Sequence, residues 1–142
     1  MKEQNFKNHT QTVFGYHVVG VLGILLLIIG SVVNLILSGP ENLLSASLIF
    51  LTALILFLVA AYTRTFPLKA QDRAIRAEEN LRYYVMTGKL LPAGLRISQI
   101  IALRFASDEE FIGLVDRALK ENMRAKDIKS AIKNWRADYY RV

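Results

Sequence analysis

Cysteine is absent from the 142-residue chain, which excludes disulfide bonds, thiolate catalysis and cysteine-based zinc sites. Charge is absent over two long stretches: residues 8–40 and 42–63 contain no Asp, Glu, Lys or Arg, and only Glu41 separates them. Such a stretch is typical of a membrane span, because about 20 helical residues are needed to cross the hydrocarbon core. The pattern argues against a soluble single domain and predicts a membrane protein.

Common catalytic motifs are also absent, since the sequence contains no GxxxxGKS/T, GxGxxG, HExxH or GxSxG. Two acidic clusters remain. Asp108, Glu109 and Glu110 could bind a divalent cation, but their position at a predicted helix start is explained by the helix dipole. Glu78 and Glu79 are expected to be ion-paired surface residues. We therefore predict no enzyme activity and no catalytic residue, cofactor or metal site.

Positive charge flanks the apolar region. Residues 64–142 hold sixteen basic and ten acidic residues, and therefore the whole formal charge of +6. The loop between the two apolar stretches, residues 38–42, has no Lys or Arg, whereas Lys2, Lys7 and the residues after position 63 provide basic flanks. Because Lys and Arg are enriched on the cytoplasmic side of membrane spans, both termini are predicted to be cytoplasmic. The first span is too long for a signal-peptide core and is expected to be retained.

Three parts are predicted along the chain. A cytoplasmic N-terminal arm covers residues 1–11, a transmembrane helical hairpin covers residues 12–63 with spans at about 13–37 and 44–62, and a basic helical cytoplasmic domain covers residues 64–142. No stretch of the last part has the two-residue period of a strand. The predicted fold class is all-α: a two-helix transmembrane hairpin followed by a small cytoplasmic domain of about four helices.

Small residues recur along one face of each span at alternating spacings of four and three. They let membrane helices approach closely, since lipid provides no hydrophobic drive for association. The residues predicted to pack are Gly20, Gly23, Gly30, Asn34, Ala53 and Ala60, either within the hairpin or in a dimer seam using the same faces. Asn34 is expected to form an interhelical hydrogen bond. The simpler alternative is that membrane helices are rich in Gly and Ala in any case.

Proline, glycine and capping patterns divide the last part into four predicted helices. Pro67 is expected to begin the first, over residues 68–87, with Gly88 as its C-terminal cap. Its least polar face is Ala70, Ala74, Ala77, Leu81 and Tyr84. The second helix is predicted over residues 99–106, capped by Ser98. Ser107 and Glu110 match a capping box that begins the third.

The third predicted helix has an inward stripe of Phe111, Leu114, Val115, Ala118 and Leu119. The fourth is predicted over residues 126–139, with Ile128, Ala131, Ile132 and Trp135 on one stripe. This spacing predicts that Trp135 is buried against the helix of Phe111 and Leu114.

Two basic segments lie in the polar part. Arg64, Lys69, Arg73 and Arg76 follow the second span and are predicted to contact anionic lipid, at about 1 kcal/mol for each charge near the leaflet. The terminal run of Lys126, Lys129, Lys133, Arg136 and Arg141, interleaved with Trp135, Tyr139 and Tyr140, could bind nucleic acid. Because Trp135 also fits an apolar stripe, a nucleic-acid partner is the less favoured interpretation.

Three strings in the polar part carry a family resemblance: RAEENLRYYVMTGKLL at residues 76–91, QIIALRFASDEEF at residues 99–111 and DIKSAIKNWRADYYRV at residues 127–142. Through them nearly the whole chain resembles a family of small bacterial two-pass membrane proteins, classed as a domain of unknown function. The resemblance implies a protein of the bacterial inner membrane with no assigned activity. It supplies no catalytic residues.

The expected function is a membrane anchor or interaction module that presents a helical domain at the inner leaflet. Expected partners are membrane lipids, a protein of unknown identity and further copies of the chain. Two alternatives stay open. One is a subunit of a homo-oligomeric conduit for a small molecule or ion, since two helices cannot enclose a path alone. The other is a membrane-tethered nucleic-acid binder.

Overall fold

The computed structural model describes residues 4–6, 8 and 12–139, and these residues are helical or irregular. A π-helical segment, Gly15–Gly20, runs directly into α1 (Val21–Leu37), which is followed by α2 (Leu43–Thr87), α3 (Ile97–Leu103), α4 (Asp108–Lys120) and α5 (Ala125–Ala131). Within the described residues there is no strand, only one isolated antiparallel bridge between Ala106 and Trp135. The prediction of an all-α protein is confirmed.

The chain divides into two compact units. The first is Thr12–Pro67, and the second joins residues 68–139 to the described residues of the N-terminal arm. Lys2, Lys7, Tyr140 and Arg141 lie outside the described residues, so the predictions made for these four residues also lie outside them.

In the first unit, α1 and the beginning of α2 form an antiparallel pair, called here the apolar pair (residues 15–37 and 43–67). The Tyr16 hydroxyl, at the start of the first helix, donates to the carbonyl of Ala60, far along the second. Residues 38–42 connect the two helices, and within them the Asn42 amide donates to the Gly39 carbonyl at 3.0 Å. The predicted position of this loop is confirmed.

Pro67 does not begin a new helix. That prediction is wrong, because α2 continues through Pro67 from Leu43 to Thr87. One proline removes one backbone hydrogen bond, and no glycine or second proline lies between residues 41 and 87 to end the helix there. The predicted end is confirmed: Gly88 has φ +71° and its amide donates to the Tyr84 carbonyl at 2.8 Å.

The core of the second unit lies between α3, α4 and α5. Its largest fully buried side chains are Phe105, Phe111, Leu103, Ile128, Gln99 and Val115. The inward stripe predicted for α4 is confirmed at Phe111, Leu114, Val115 and Ala118, whereas Leu119 is half-buried. Burial of these side chains removes apolar surface from water and stabilises the unit by about 1.5–3 kcal/mol for each large one.

Residue Gln99 sets the start of α3. The predicted cap at Ser98 is wrong: the helix begins at Ile97, and its first turn is closed by the Arg96 amide, which donates to Gln99 Oε1 at 2.8 Å. The Gln99 amide group donates to the carbonyls of Ala118 and Met123. A buried amide with these partners joins α3 to the end of α4.

The last helix is shorter than predicted. It ends at Ala131, because the following backbone bonds to the connection between α3 and α4 instead of to itself. The Glu110 carboxylate accepts the amides of Lys133 and Asn134 at 3.1 and 2.9 Å. The predicted capping box is therefore also wrong, although Ser107 does precede the first residue of α4.

Trp135 lies outside any helix and is half-buried. Its ring packs on Phe105, with 4.8 Å between ring centroids, and the bridge to Ala106 fixes its backbone beside that residue. The predicted burial of Trp135 is only partial, since the half-buried ring packs against the core cluster that contains Phe111 and Leu114. The prediction assumed that the last helix continued to Trp135, and the amides captured by Glu110 prevent this.

Candidate functional site

The apolar pair exposes most of its large apolar side chains on its surface. Among the described residues, the two helices that contain it are long and apolar enough to cross a membrane. Only 6% of the most apolar eighteen-residue window of Gly15–Leu37 is buried, and only 11% of that of Leu43–Thr87. A core helix of a soluble protein is mostly buried, so these helices are unlike such a helix. They present apolar side chains on nearly every face.

The contact face of the apolar pair is narrow and made of small residues. Ser31, Ala46 and Ala53 are buried in it. Ile24, Ile28 and Leu35 line the same side of α1 and are half-buried, as are Gly20 and Ala60. Of the six residues predicted to pack, Ala53, Gly20 and Ala60 lie on this face.

The other three residues predicted to pack lie elsewhere. Gly23, Gly30 and Asn34 are exposed, and a Cβ atom added to Gly23 or Gly30 would meet no other side chain within 4 Å. They occupy the neighbouring face of α1, one position away from Ile24, Ser31 and Leu35. The structure therefore does not place these three residues in the contact inside the hairpin. Their packing in a seam with a second copy stays a prediction.

The four residues predicted to contact lipid all lie on α2. Lys69, Arg73 and Arg76 are exposed and follow one another at spacings of four and three, so they share one side of the helix. Arg64 is half-buried and lies in the first unit. Three cations on one side of a helix make a local positive strip. Such a strip is suited to phosphate groups or carboxylates.

A buried charge network lies on the neighbouring side of α2, and no local sequence pattern predicts it. Glu79 is only 3% exposed, and its carboxylate binds Arg82 Nη1 at 3.0 Å and Arg136 Nη1 at 3.5 Å. Arg82 also donates to Asp108 at 2.6 and 2.8 Å and to the carbonyl of Ala106 at 2.8 Å. Its guanidinium lies 4.1 Å from the centre of the Phe111 ring. One arginine thus joins α2, the α3–α4 connection and α4.

The prediction that Glu78 and Glu79 are both ion-paired surface residues is wrong for Glu79. Glu78 is exposed, and the partner of Arg82 on its own helix is Glu79, three residues earlier. The C-terminal segment brings a second partner, Arg136, to Glu79.

A cleft of about 360 Å³ opens beside this network. Its polar lining includes Gln71, Glu78, Glu79, Arg104, Arg136 and Asp138. Arg104 Nε lies 3.3 Å from Asp138 Oδ2, and the Gln4 side chain bonds both the amide and the carbonyl of Asp138. Arg104 is thus paired with Asp138 and Arg136 with Glu79, which favours a role in holding the C-terminal segment over binding a charged ligand.

The acidic residues at the start of α4 form contacts that stabilise the fold. Asp108 binds Arg82, and Glu110 accepts two backbone amides. The pKa of Glu109 is held below its ordinary value by the nearby Ser107 hydroxyl and by its own backbone amide. In the part of the chain that the structure describes, no three His, Asp or Glu side chains are grouped as a metal site requires.

Asp127 and Arg124 form an ion pair in which the pKa values of both side chains are shifted. The hydrogen bond from Arg124 holds the pKa of the Asp127 carboxyl below its ordinary value, and the same bond raises the pKa of Arg124. The two side chains meet at 3.0 Å at the start of α5, where a carboxylate also complements the helix dipole. This is a surface ion pair at a helix end, and it is placed to support α5.

The model of one protein family, described as a family of unknown function, DUF6526, matches residues 1–142. Neither the curated proteins nor the solved structures contain a match.

Proposed function

The chain belongs to DUF6526, a family of unknown function, and we propose that it is an integral membrane protein whose apolar pair is a transmembrane hairpin that anchors a helical interaction domain. One observation carries the proposal: the exposed apolar surface of the pair. Twenty-six large apolar side chains between Val13 and Tyr62 are exposed. Removing each from water is worth about 1 kcal/mol, in total on the order of 25 kcal/mol. That sum exceeds the whole stability of a typical domain, about 5–15 kcal/mol.

The length of the first helix supports the same proposal. Gly15–Leu37 has 23 residues, and at about 1.5 Å per residue it is about 35 Å long. The hydrocarbon core of a bilayer is about 30 Å thick. All backbone groups within a continuous helix bond to each other, which is the condition for crossing lipid.

For the orientation, we propose that both termini are cytoplasmic and that residues 38–42 face the outside. The basic residues support this, since that loop has no Lys or Arg, whereas Arg64, Lys69, Arg73 and Arg76 follow the uncharged stretch of α2 that ends at position 63. These four are proposed to contact anionic headgroups. The family resemblance supports the bacterial inner membrane. The domain is proposed to bind a protein partner. It is also proposed to lack enzyme activity, because its buried charged residues, Glu79 and Arg104, are paired with Arg82 and Asp138 in contacts that hold the fold.

Two leucines with the same exposure provide a test of the apolar pair. Leu26 lies at the middle of Gly15–Leu37 and is 71% exposed, and Leu90, in the second unit, is 66% exposed. We expect Leu26→Lys to lower the fraction of the protein that resists extraction from membranes by alkaline carbonate. A lysine at the centre of a span costs about 2.5–3.5 kcal/mol. Leu90→Lys is the control and is expected to leave that fraction unchanged.

The alternative environment makes the opposite prediction. If both leucines faced water, each lysine would be tolerated equally, and neither variant would change the extracted fraction. Equal behaviour of Leu26→Lys and Leu90→Lys would therefore refute the transmembrane hairpin.

A further inference from the structure

The outward face of α2 in the second unit is apolar and uncovered. The face marked by the sequence as least polar, Ala70, Ala74, Ala77, Leu81 and Tyr84, is exposed along its whole length. Leu81 is 63% exposed, and Val85 beside it is 76% exposed. The core of the unit instead takes the opposite face, where Ile75 and Tyr83 are buried. This face, residues 70–85, is called the α2 seam.

We propose that the α2 seam packs against the α2 seam of a second copy of the chain as a short, parallel, two-helix coiled coil. The seam residues follow spacings of four, three, four and three, which is the a/d repeat of a coiled coil, with Ala74 and Leu81 at a and with Ala70, Ala77 and Tyr84 at d. Three alanines allow close approach of the two helices, and Leu81, Tyr84 and Val85 supply the apolar area at one end.

The charges beside the seam identify the partner. In the same repeat Arg73 occupies a g position, and Glu78 occupies the e position of the following heptad. Both are exposed, and neither forms an ion pair with another described residue. Being five residues apart, they point to different sides of their own helix and cannot pair within it. In a parallel pair, Arg73 of each copy reaches Glu78 of the other, so two ion pairs form across one two-fold axis.

A second copy fits this face better than a lipid surface does. In the dimer Arg73 exchanges the headgroup contact proposed above for Glu78 of the second copy, because an anionic leaflet would attract Arg73 and repel Glu78, whereas a second copy satisfies both charges. The parallel orientation rests on the proposed membrane anchoring, because two copies inserted with the same topology hold their α2 helices in the same direction. Confinement to a membrane also raises the effective concentration of the second seam, which favours a contact of only four to five turns.

Cysteine cross-linking provides a direct test, because the chain contains no cysteine. Single substitutions Ala70→Cys, Ala77→Cys and Tyr84→Cys place a thiol at each d position. The matched controls Lys69→Cys and Arg76→Cys place one on the same helix at exposed positions away from the seam. After mild oxidation of the full chain in membranes, we expect disulfide-linked dimers from all three seam variants, at several times the yield of either control.

Other outcomes overturn the proposal. An antiparallel pair would cross-link at one seam position at most, because residues near the two ends would then be far from their copies. Equal yields at seam and control positions would indicate random collision. No dimer, with seam thiols protected from an aqueous thiol reagent, would place the seam in lipid.

A charge exchange tests the partner assignment. Arg73→Glu and Glu78→Arg should each lower the dimer yield of the Ala77→Cys protein, by about tenfold, since each replaces two attractions by two repulsions. The double variant Arg73→Glu with Glu78→Arg should restore the yield, because the ion pairs re-form with reversed sign. A double variant as weak as the single ones would overturn the assignment. The membrane fraction of each variant is measured alongside, so loss of the dimer is distinguished from loss of anchoring.

Discussion

Replacing Arg82 by alanine is expected to destabilise the helical domain by about 3–5 kcal/mol, the usual cost of leaving a buried charge without its partner. Arg82 is the main counter-ion of Glu79, which is 3% exposed, and it also binds Asp108 and the carbonyl of Ala106. The variant would leave the Glu79 carboxylate with only the longer contact to Arg136. Urea unfolding of the full chain in a non-ionic detergent measures the loss, with the emission of the only tryptophan, Trp135, as the reporter.

Two variants serve as controls for Arg82→Ala. Arg117 pairs with Glu121 at 3.4 Å on the surface, so Arg117→Ala is expected to cost less than about 1 kcal/mol. Combining Arg82→Ala with Glu79→Gln should recover part of the stability, because the remaining partner is then neutral. If Arg82→Ala cost no more than Arg117→Ala, the network would be a surface feature and its assignment to the fold would be wrong.

Truncation of Phe105 to alanine is the second change with a large expected effect. Phe105 is fully buried between Trp135, Arg104 and Lys129, and its carbonyl accepts the amide of Arg136. Its loss should cost about 3–5 kcal/mol, as for other buried aromatic residues. Circular dichroism during urea unfolding of the full chain gives this value without depending on the tryptophan.

The matched control for Phe105→Ala is Trp135→Ala. Trp135 is half-buried and contacts Phe105 from the outside, so its truncation is expected to cost about 2 kcal/mol, clearly less than that of Phe105. The reverse order would indicate that Trp135 is the anchor of the C-terminal segment. It would also show that Glu110 and the Ala106 bridge contribute little to holding that segment.

The features that were predicted correctly depend on local sequence. The ends of the first helix, the loop at residues 38–42 and the cap at Gly88 follow from runs of apolar residues and from glycine chemistry, which act within a few residues. The inward stripe of α4 follows from its 3.6-residue period. Each of these signals is complete within one segment of the chain.

The features that were missed depend on residues distant in sequence. Glu110 captures the amides of Lys133 and Asn134 and so ends α5 early, although the sequence after Ala131 has a helical period. Arg136 reaches Glu79 across 57 residues, and no local pattern marks that pair as buried. Pro67 shows the converse, since a strong local signal for a helix start was overridden by the continuity of the helix on both sides.

The sequence identified the least polar face of residues 68–87 of α2 correctly. It did not show whether that face is buried or exposed. The core of the second unit packs on Tyr83 of the opposite face, where Ile75 and Glu79 are also buried. The α2 seam was left outside. An apolar stripe in a sequence therefore indicates a helix face that is covered by another apolar surface. It does not show whether that surface belongs to the same chain or to another molecule.

Thiol labelling in sealed bacterial cells tests most directly whether the apolar pair spans the membrane. Asn42 and Ser130 are both exposed, and they lie respectively in the loop of the proposed hairpin and on α5. We expect Asn42→Cys to react with a membrane-impermeant thiol reagent in intact cells, and Ser130→Cys to react only after the cells are opened. Labelling of Ser130→Cys alone in sealed cells would overturn the proposed orientation. The same result at both positions, labelled or protected, would contradict the proposed transmembrane hairpin.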